Sequence, residues 1–438
     1  MSAPMSLGIF GVLSVGIADA YFLGQLGGTP LAAVGFIYPV TAAITSLSIG
    51  LSAGANSAIS QAIGGGQDET TTGRLALHAF ALGGALALLV GLAFWLFSPL
   101  LFSLMGASDA VLKEIADYAP FWALSFPFLV LMMITNAVFR AHGDSITAAL
   151  TMLGVAIINI ALDPLFIFGW GPVPAMETGG AALATFIARA AGAGFIIYWA
   201  HRKGLLCIGK SPTKGALSSV KTIGDVGLPA AFSNAINPAG MAAVTAAVAT
   251  LGDAAVAGFG AATRVQSVAL VVLLALSAGI GPVVGQNWGA EKYNRARAAL
   301  FSAWGICLTY GLAAATLLFF FAEPIAGLIA PAEEERAFTA QYLRIVSWSL
   351  FGYGVVVTIN AAMNARSKAL YSMSLSIGRV FAIYLPGAWL GVWLFGYTGV
   401  LAAAIAANLL SVVAAIWMAK RTGLISTKRV PLQEAFSG

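Results

Sequence analysis

The sequence predicts an all-α integral membrane protein: twelve transmembrane helices arranged as two parallel six-helix repeats. Three observations carry that prediction. Of the 438 residues, 59% are hydrophobic and only 9% charged, whereas soluble domains carry roughly 25% charged residues; the mean hydropathy is +0.90. Apolar runs of about 20 residues or more recur along the whole chain, the length a helix needs to cross a bilayer and about twice that of a barrel strand. Finally, the chain matches itself when slid by 225 positions.

Hydrophobic windows place spans near residues 4–25, 31–62, 75–99, 118–140, 146–169 and 179–200, then near 223–250, 255–287, 298–322, 338–362, 370–395 and 398–419. The first begins almost at the first residue, but it lacks a charged leader, carries an acid and outruns a signal h-region, so it reads as a retained span. Fifty glycines suit closely packed membrane helices. The organisation follows: an N-lobe over 1–201, a basic cytoplasmic linker over 202–222, a C-lobe over 223–420 and a cytoplasmic tail over 421–438. Of the 22 lysines and arginines, sixteen fall in loops on one side, two (Lys113 and Arg336) on the other and four inside spans. Positive charge accumulates on the cytoplasmic side, which puts both termini and the linker there. The net charge of +5 is therefore a topological signal and calls for no nucleic-acid partner. Cys207 and Cys307 show no motif spacing and read as two unpaired thiols.

In the repeat, Leu26–Gly64 aligns without a gap on Leu251–Gly289, with eleven identities in 39 positions, among them Gly27/Gly252, Ser52/Ser277 and Gln61/Gln286. Slightly shorter shifts lay Asn136 on Asn360, by 224 positions, and Pro164 on Pro386, by 222. Six spans per repeat give both halves the same polarity, so the repeats are parallel and related by an axis along the membrane normal. The mismatches concern charge. Asp19 falls on Val244, Asp163 on Leu385 and Asn159 on Phe381, so only the first half carries acids deep in its spans.

Those acids define the candidate site. A charged side chain at the centre of a membrane helix costs about 2.5–3.5 kcal/mol on insertion scales, and such residues mark ion or substrate pathways. Asp19 lies inside the first span between small neighbours, Gly16, Ala18 and Gly24. Asn159 and Asp163 stand four apart on one helix face, and Pro164 frees the carbonyl of Ile160 and bends the helix. Thr185 in the sixth span adds a hydroxyl. Two neighbouring carboxylates titrate as a coupled system, and an organic cation or Na⁺ competes with protons for their charge. Binding of one then expels the other, which is antiport. The competing structural reading pairs Asp19 and Asp163 with the span arginines Arg189, Arg264, Arg344 or Arg379. His78, His142 and His201 lie near span ends, offer no metal spacing and read as solvated.

With those residues in place, the chain resembles the multidrug and toxic compound extrusion (MATE) family over nearly its whole length. The likeness rests on GIADAYFLGQLGG, LAAVGFIYPV and NIALDPLFIFG in the first half, and on VAGFGAATRVQSVAL and GIGPVVGQNWGAEKYNRA in the second. It implies a bilobed exporter of drugs or organic cations, driven by H⁺ or Na⁺, that is not an enzyme and uses no cofactor. The DinF branch is the nearer one, because its coupling acids lie in spans one and five with an asparagine one turn before the second. These are Asp19, Asp163 and Asn159 here, and the same three residues are the candidate holders of Na⁺. The resemblance also implies that a proline fifteen residues before the first acid, Pro4, takes part in bending the first helix. The acids that the NorM branch places in spans seven and ten are absent.

The expected partners are the lipid bilayer and small-molecule substrates, chiefly organic cations, and the expected setting is a monomer in a bacterial inner membrane. Two alternatives differ in class. A lipid or lipid-linked sugar flippase of the same superfamily needs cavity arginines in spans one, two or eight; spans one and two have none, and Arg264 in span eight keeps this alternative open. An intramembrane aspartyl protease pairs two aspartates, but neither Asp19 nor Asp163 has the flanking residues of that group.

Overall fold

The computed structural model describes residues 2–206, 209, 211–330 and 332–425. Cys207 and the tail from 426 onward lie outside the described residues. Among the described residues the chain is helical almost throughout, with no strand beyond an isolated bridge between Trp170 and Val173. The helices are α1 (Ser2–Leu26), α2 (Gly28–Gly64), α3 (Glu69–Leu104), α4 (Asp109–Ala141), α5 (Ser145–Ile167), α6 (Glu177–Arg202), α7 (Ala216–Ala249), α8 (Asp253–Gly289), α9 (Tyr293–Phe320), α10 (Ala322–Ile329), α11 (Glu333–Val346), α12 (Leu350–Ala365), α13 (Ala369–Ile377), α14 (Leu385–Phe395) and α15 (Tyr397–Arg421).

Among the described residues, eleven segments are long and apolar enough to cross a membrane. The remaining expected span falls on α7, which has the length, 34 residues, while Ser233, Asn234 and Asn237 dilute its apolar character. Two spans are composite. The tenth joins α11 to α12 through a 3₁₀ turn at Ser347–Ser349, and the eleventh joins α13 to α14 through a π-helical stretch, Gly378–Tyr384. Pro386 opens α14, and having no N–H it cannot make the i→i−4 bond to the Ala382 carbonyl; just ahead of it the ladder widens, with the Leu385 N–H donating to the Val380 carbonyl. The short α10, which follows the ninth span, was not separable by hydropathy.

By packing, the chain divides into Ala3–Ala231 and the residues from Phe232 onward, with α7 running from one unit into the other. In the first unit α4 packs against α2, α3 and α6, and α5 lies along α6. The α3–α4 approach is close enough that a Cβ on Gly91 would sit 2.9 Å from the carbonyl oxygen of Ala123. Trp122 stacks on Phe126 at 5.4 Å between ring centroids and tilts against Phe94 at 4.8 Å. On α1 the tight contacts are Gly8 against Ala149 and Gly11 against Ala156 of α5. Gly16 and Gly24, beside Asp19, meet open space, so close helix approach occurs two turns earlier than their small size suggests.

In the second unit α12 packs on α8 and α9, and α14 packs on α15, around buried Phe259, Leu343, Leu350, Val356 and Ile359. The repeat shows within each unit. Both α2 and α8 have 37 residues, and each follows a glycine with φ in the left-handed region, Gly27 at 131° and Gly252 at 106°. Ser52 donates to the Met133 carbonyl at 3.0 Å in one half, and Ser277 to the Val357 carbonyl at 3.0 Å in the other.

Candidate functional site

The site is built on α5, and its placement starts at the helix's first residue. Asp144 is the N-cap: its carboxylate accepts from the Thr147 amide at 2.9 Å and the Thr147 hydroxyl at 2.7 Å. Lys203, just past α6, adds an ion pair to the same carboxylate at 2.7 Å. Burial pushes the Asp144 carboxyl up, but the hydrogen bonds from Lys203 and Thr147 outweigh it and hold the group below the usual carboxylate range. The cap thus ties the start of α5 to the end of α6.

About four turns on, Asn159 and Asp163 face inward, 2% and 0% exposed. The Asn159 amide nitrogen donates to Asp163 Oδ1 at 3.4 Å and to Thr185 Oγ1, on α6, at 3.3 Å. Asp19 on α1 comes within hydrogen-bonding reach of Asp163. A hydrogen bond between two carboxyl groups requires that one carry a proton, because an ionised carboxylate only accepts. Three buried oxygens of the cluster, Asp19 Oδ1, Asn159 Oδ1 and Asp163 Oδ2, have no hydrogen-bond partner. Buried oxygens without donors are costly unless a proton, a cation or water meets them.

The structure therefore brings together Asp19, Asn159, Asp163 and Thr185, from three helices of one unit. Pro164 adjoins them inside α5, which continues through it to Ile167. Pro4 does not reach the cluster. It sits in the first turn of α1, about 22 Å from Asp19 along the helix axis, where a missing N–H breaks no intrahelical bond.

Among the described residues neither acid forms an ion pair; the salt bridges are Lys203–Asp144 and Arg344–Glu323. Arg189 lies near enough for its charge to act on Asp19, but its Nη1 donates to Ser125 Oγ at 2.8 Å. Two α4 residues escaped the sequence reading. Tyr118 sits in the electrostatic neighbourhood of Asp19, Asp163 and Arg189, and Ser125 anchors Arg189. They are seven apart, hence on one face of α4, a signal that only the position of α6 makes meaningful. His78 is a correction: expected to be solvated, it is buried, with Nε2 2.8 Å from the Pro212 carbonyl, because the linker folds over this end of α3. No group of three or more His, Cys, Asp or Glu suited to a metal occurs among the described residues.

The MatE family model matches residues 4–165 and 229–390, two segments offset by the same 225 residues as the internal repeat. The FAD transporter of Shewanella oneidensis is 34% identical over 429 residues, 96% of this chain and 93% of its own length. The multidrug export protein MepA of Staphylococcus aureus is 26% identical over 421 residues, covering 95% and 91%. Among solved structures, the Vibrio cholerae MATE transporter VcmN in the bent form matches with a TM-score of 0.90 at 29% identity, over 97% of this chain and 95% of that one.

Proposed function

We propose that this chain, which belongs to the MatE family, is an antiporter that exports small organic compounds in exchange for protons taken up at Asp19 and Asp163. Members of the family are transporters and not enzymes, and the chain is a multi-pass membrane protein. The proposal adds the coupling ion, its residues and the branch, which is DinF-like. It also adds the setting: a bacterial inner membrane with both termini in the cytoplasm.

One observation carries the reading. Two carboxyl groups lie within hydrogen-bonding reach of each other, away from any ion pair, with Asn159 and Thr185 around them. A pair held by arginines would be structural. A pair left with unpartnered oxygens is poised to gain and lose a proton. In this mechanism a proton on the pair lowers its net charge, whereas the deprotonated pair attracts a cationic substrate. Exclusive occupancy exchanges the two provided that the two occupied states favour opposite faces of the membrane. Na⁺ would use the same Asp19, Asn159 and Asp163 oxygens. The chain carries a single cluster of span acids, which favours the proton. Pro4, far up α1, is proposed to take part in bending the first helix, as the family resemblance implies; the Vibrio cholerae relative is described in a bent form.

The deciding experiment is ethidium transport in proteoliposomes under an imposed proton gradient or an imposed sodium gradient. Exchange driven by the proton gradient alone is expected; exchange driven only by sodium would overturn the proton assignment. A second reading of the substrate is favoured by sequence identity. The relative described as an FAD transporter is 34% identical, against 26% for MepA, which makes flavin nucleotides candidate cargo beside organic cations.

A further inference from the structure

The second unit contains a cavity of about 130 Å³ that the acid pair has no part in, and its lining is rich in hydrogen-bond donors. Seven polar side chains from six elements meet there: Asn237 of α7, Gln266 of α8, Tyr342 of α11, Tyr353 of α12, Arg379 and Tyr384 of the π-helical stretch and Asn408 of α15. Their bonds engage the amide oxygens first. Arg379 donates through Nη2 to Asn237 Oδ1 and through Nη1 to Asn408 Oδ1, the latter at 3.5 Å. Tyr342 donates its hydroxyl to Gln266 Oε1 at 2.6 Å, and Asn408 passes its own N–H to Ser349 Oγ at 2.9 Å. The amide oxygens of Asn237, Gln266 and Asn408 are thereby engaged. The amide N–H₂ groups of Asn237 and Gln266 remain, with the rest of the five Arg379 donors.

No acid offsets the guanidinium. None lines the cavity, and Arg379 has no ion pair among the described residues. The described acids of this unit, Asp253, Glu291, Glu323 and Glu333–Glu335, all stand at helix starts or in turns. Tyr353 places its ring under the guanidinium, 5.4 Å from centroid to carbon, which braces the cation without neutralising it. A cation inside a membrane span with no acid opposite it is complementary to an anion, and a planar guanidinium fork fits the oxygens of a phosphate. Drug-sized ligands fill cavities of about 300–1,000 Å³. This volume therefore takes a charged group with a short stem and leaves the remainder of the molecule outside.

We infer that Arg379, with the Asn237 and Gln266 amides, binds a phosphate group of the exported compound. The inference deepens the exporter reading and rests on it, selecting phosphate-bearing molecules such as flavin nucleotides from its candidate cargo.

The test uses the full-length protein in nanodiscs of neutral lipid. Riboflavin and riboflavin 5′-phosphate share one ring system and differ in a single phosphate, and quenching of flavin fluorescence reports binding of each. The wild type is expected to prefer the phosphate by about tenfold or more, the size of a charge-assisted contact. Arg379→Gln should bring the two flavins within about twofold, and Arg379→Lys should keep part of the preference. Asn408→Asp, which sets a carboxylate against the guanidinium, should erase the preference while leaving Arg379 in place, so the idea survives a misfolded Arg379→Gln. Adding phosphatidylglycerol separates cargo from lipid: competition by that lipid with no flavin preference in neutral discs would make the site a headgroup site and overturn the cargo assignment. No preference in the wild type, or one that persists in Arg379→Gln and Asn408→Asp, would also overturn it. Ethidium exchange by the same preparations tests the exporter reading independently, so the two fail separately.

Discussion

Where α5 holds Asn159, Asp163 and Pro164, the second repeat holds Phe381, Leu385 and Pro386. The proline is shared and its surroundings are not. Around Pro164 the chain stays α-helical, and Asn159 and Asp163 are buried. Ahead of Pro386 the chain adopts seven residues of π-helix, and Phe381, at the place of Asn159, is 46% exposed. A π turn carries an extra residue, and each residue in a helix is worth about 100° of rotation. The buried position thereby moves one residue earlier, to Val380, 2% exposed, and Arg379 beside it reaches the cavity. Duplication supplied one scaffold twice; a local change of helical register then let one copy present acids and the other a base. That division of charge is what the following substitutions challenge.

The largest effect is expected in the acid-bearing half. Asp19→Asn should reduce ethidium exchange to background while the protein still inserts in the membrane, and Asp163→Asn should impair it nearly as much. Exchange rates in proteoliposomes normalised to protein content check both. Full exchange by Asp19→Asn would end the coupling assignment.

Transplanting the acid tests whether the halves are interchangeable. Val244 is the repeat position of Asp19, and its side chain is fully buried among apolar neighbours of the second unit. Val244→Asp should therefore fail to restore exchange to Asp19→Asn. It should also lower stability by about 3–5 kcal/mol, the cost of an uncompensated buried charge, read as a fall in the detergent-solubilised unfolding midpoint. Rescue would mean that the scaffold, and not the local cluster, defines the site.

Between these extremes lies the repeated serine. Ser52 and Ser277 make equivalent 3.0 Å bonds to a carbonyl, but Ser52 Oγ also accepts from Arg140 Nη2 at 3.1 Å, and Arg140 is buried with Nε unpartnered. Ser277→Ala should cost about 1 kcal/mol for one hydrogen bond. Ser52→Ala should cost about 2–3 kcal/mol because it also deprives a buried cation of a partner. Equal losses in denaturant titrations would show that water already serves Arg140.

Much of this was legible in the chain. Apolar runs gave the spans, and the 225-residue shift anticipated the two matched segments of the family model. Asp19, Asn159, Asp163 and Thr185 were nominated by chemistry and spacing, and the structure brings the four together. What stayed hidden depends on contacts between distant segments. Arg379 looked like a structural partner for the acids because only the π-helical stretch shows which way it faces. Tyr118 and Ser125 have no local signature, and His78 became a buried residue only when the linker at Pro212 folded back on it. Gly16 and Gly24 were read as packing surfaces, but small size permits an approach without producing one.

The smallest effect separates the two repeats at the start of the same helix. Asp144 caps α5, whereas its repeat partner Lys368 occupies the N-cap of α13 and makes no side-chain capping bond. At neutral pH, Asp144→Ala should cost about 1 kcal/mol, as lost N-caps do, and Lys368→Ala should stay within about 0.5 kcal/mol, the range of ordinary surface changes. The sign with pH follows from the carboxyl being held below its usual range in the folded protein. Its contribution is fully present above the unfolded-state value of about 3.9 and is lost as acid protonates the folded group below it. The difference in unfolding midpoint between wild type and Asp144→Ala should therefore be constant from neutral pH down to about 5 and shrink below about 4. A gap that persists in acid would assign the stabilisation to packing of the cap residue, and the charge asymmetry between the two helix starts would carry no energy.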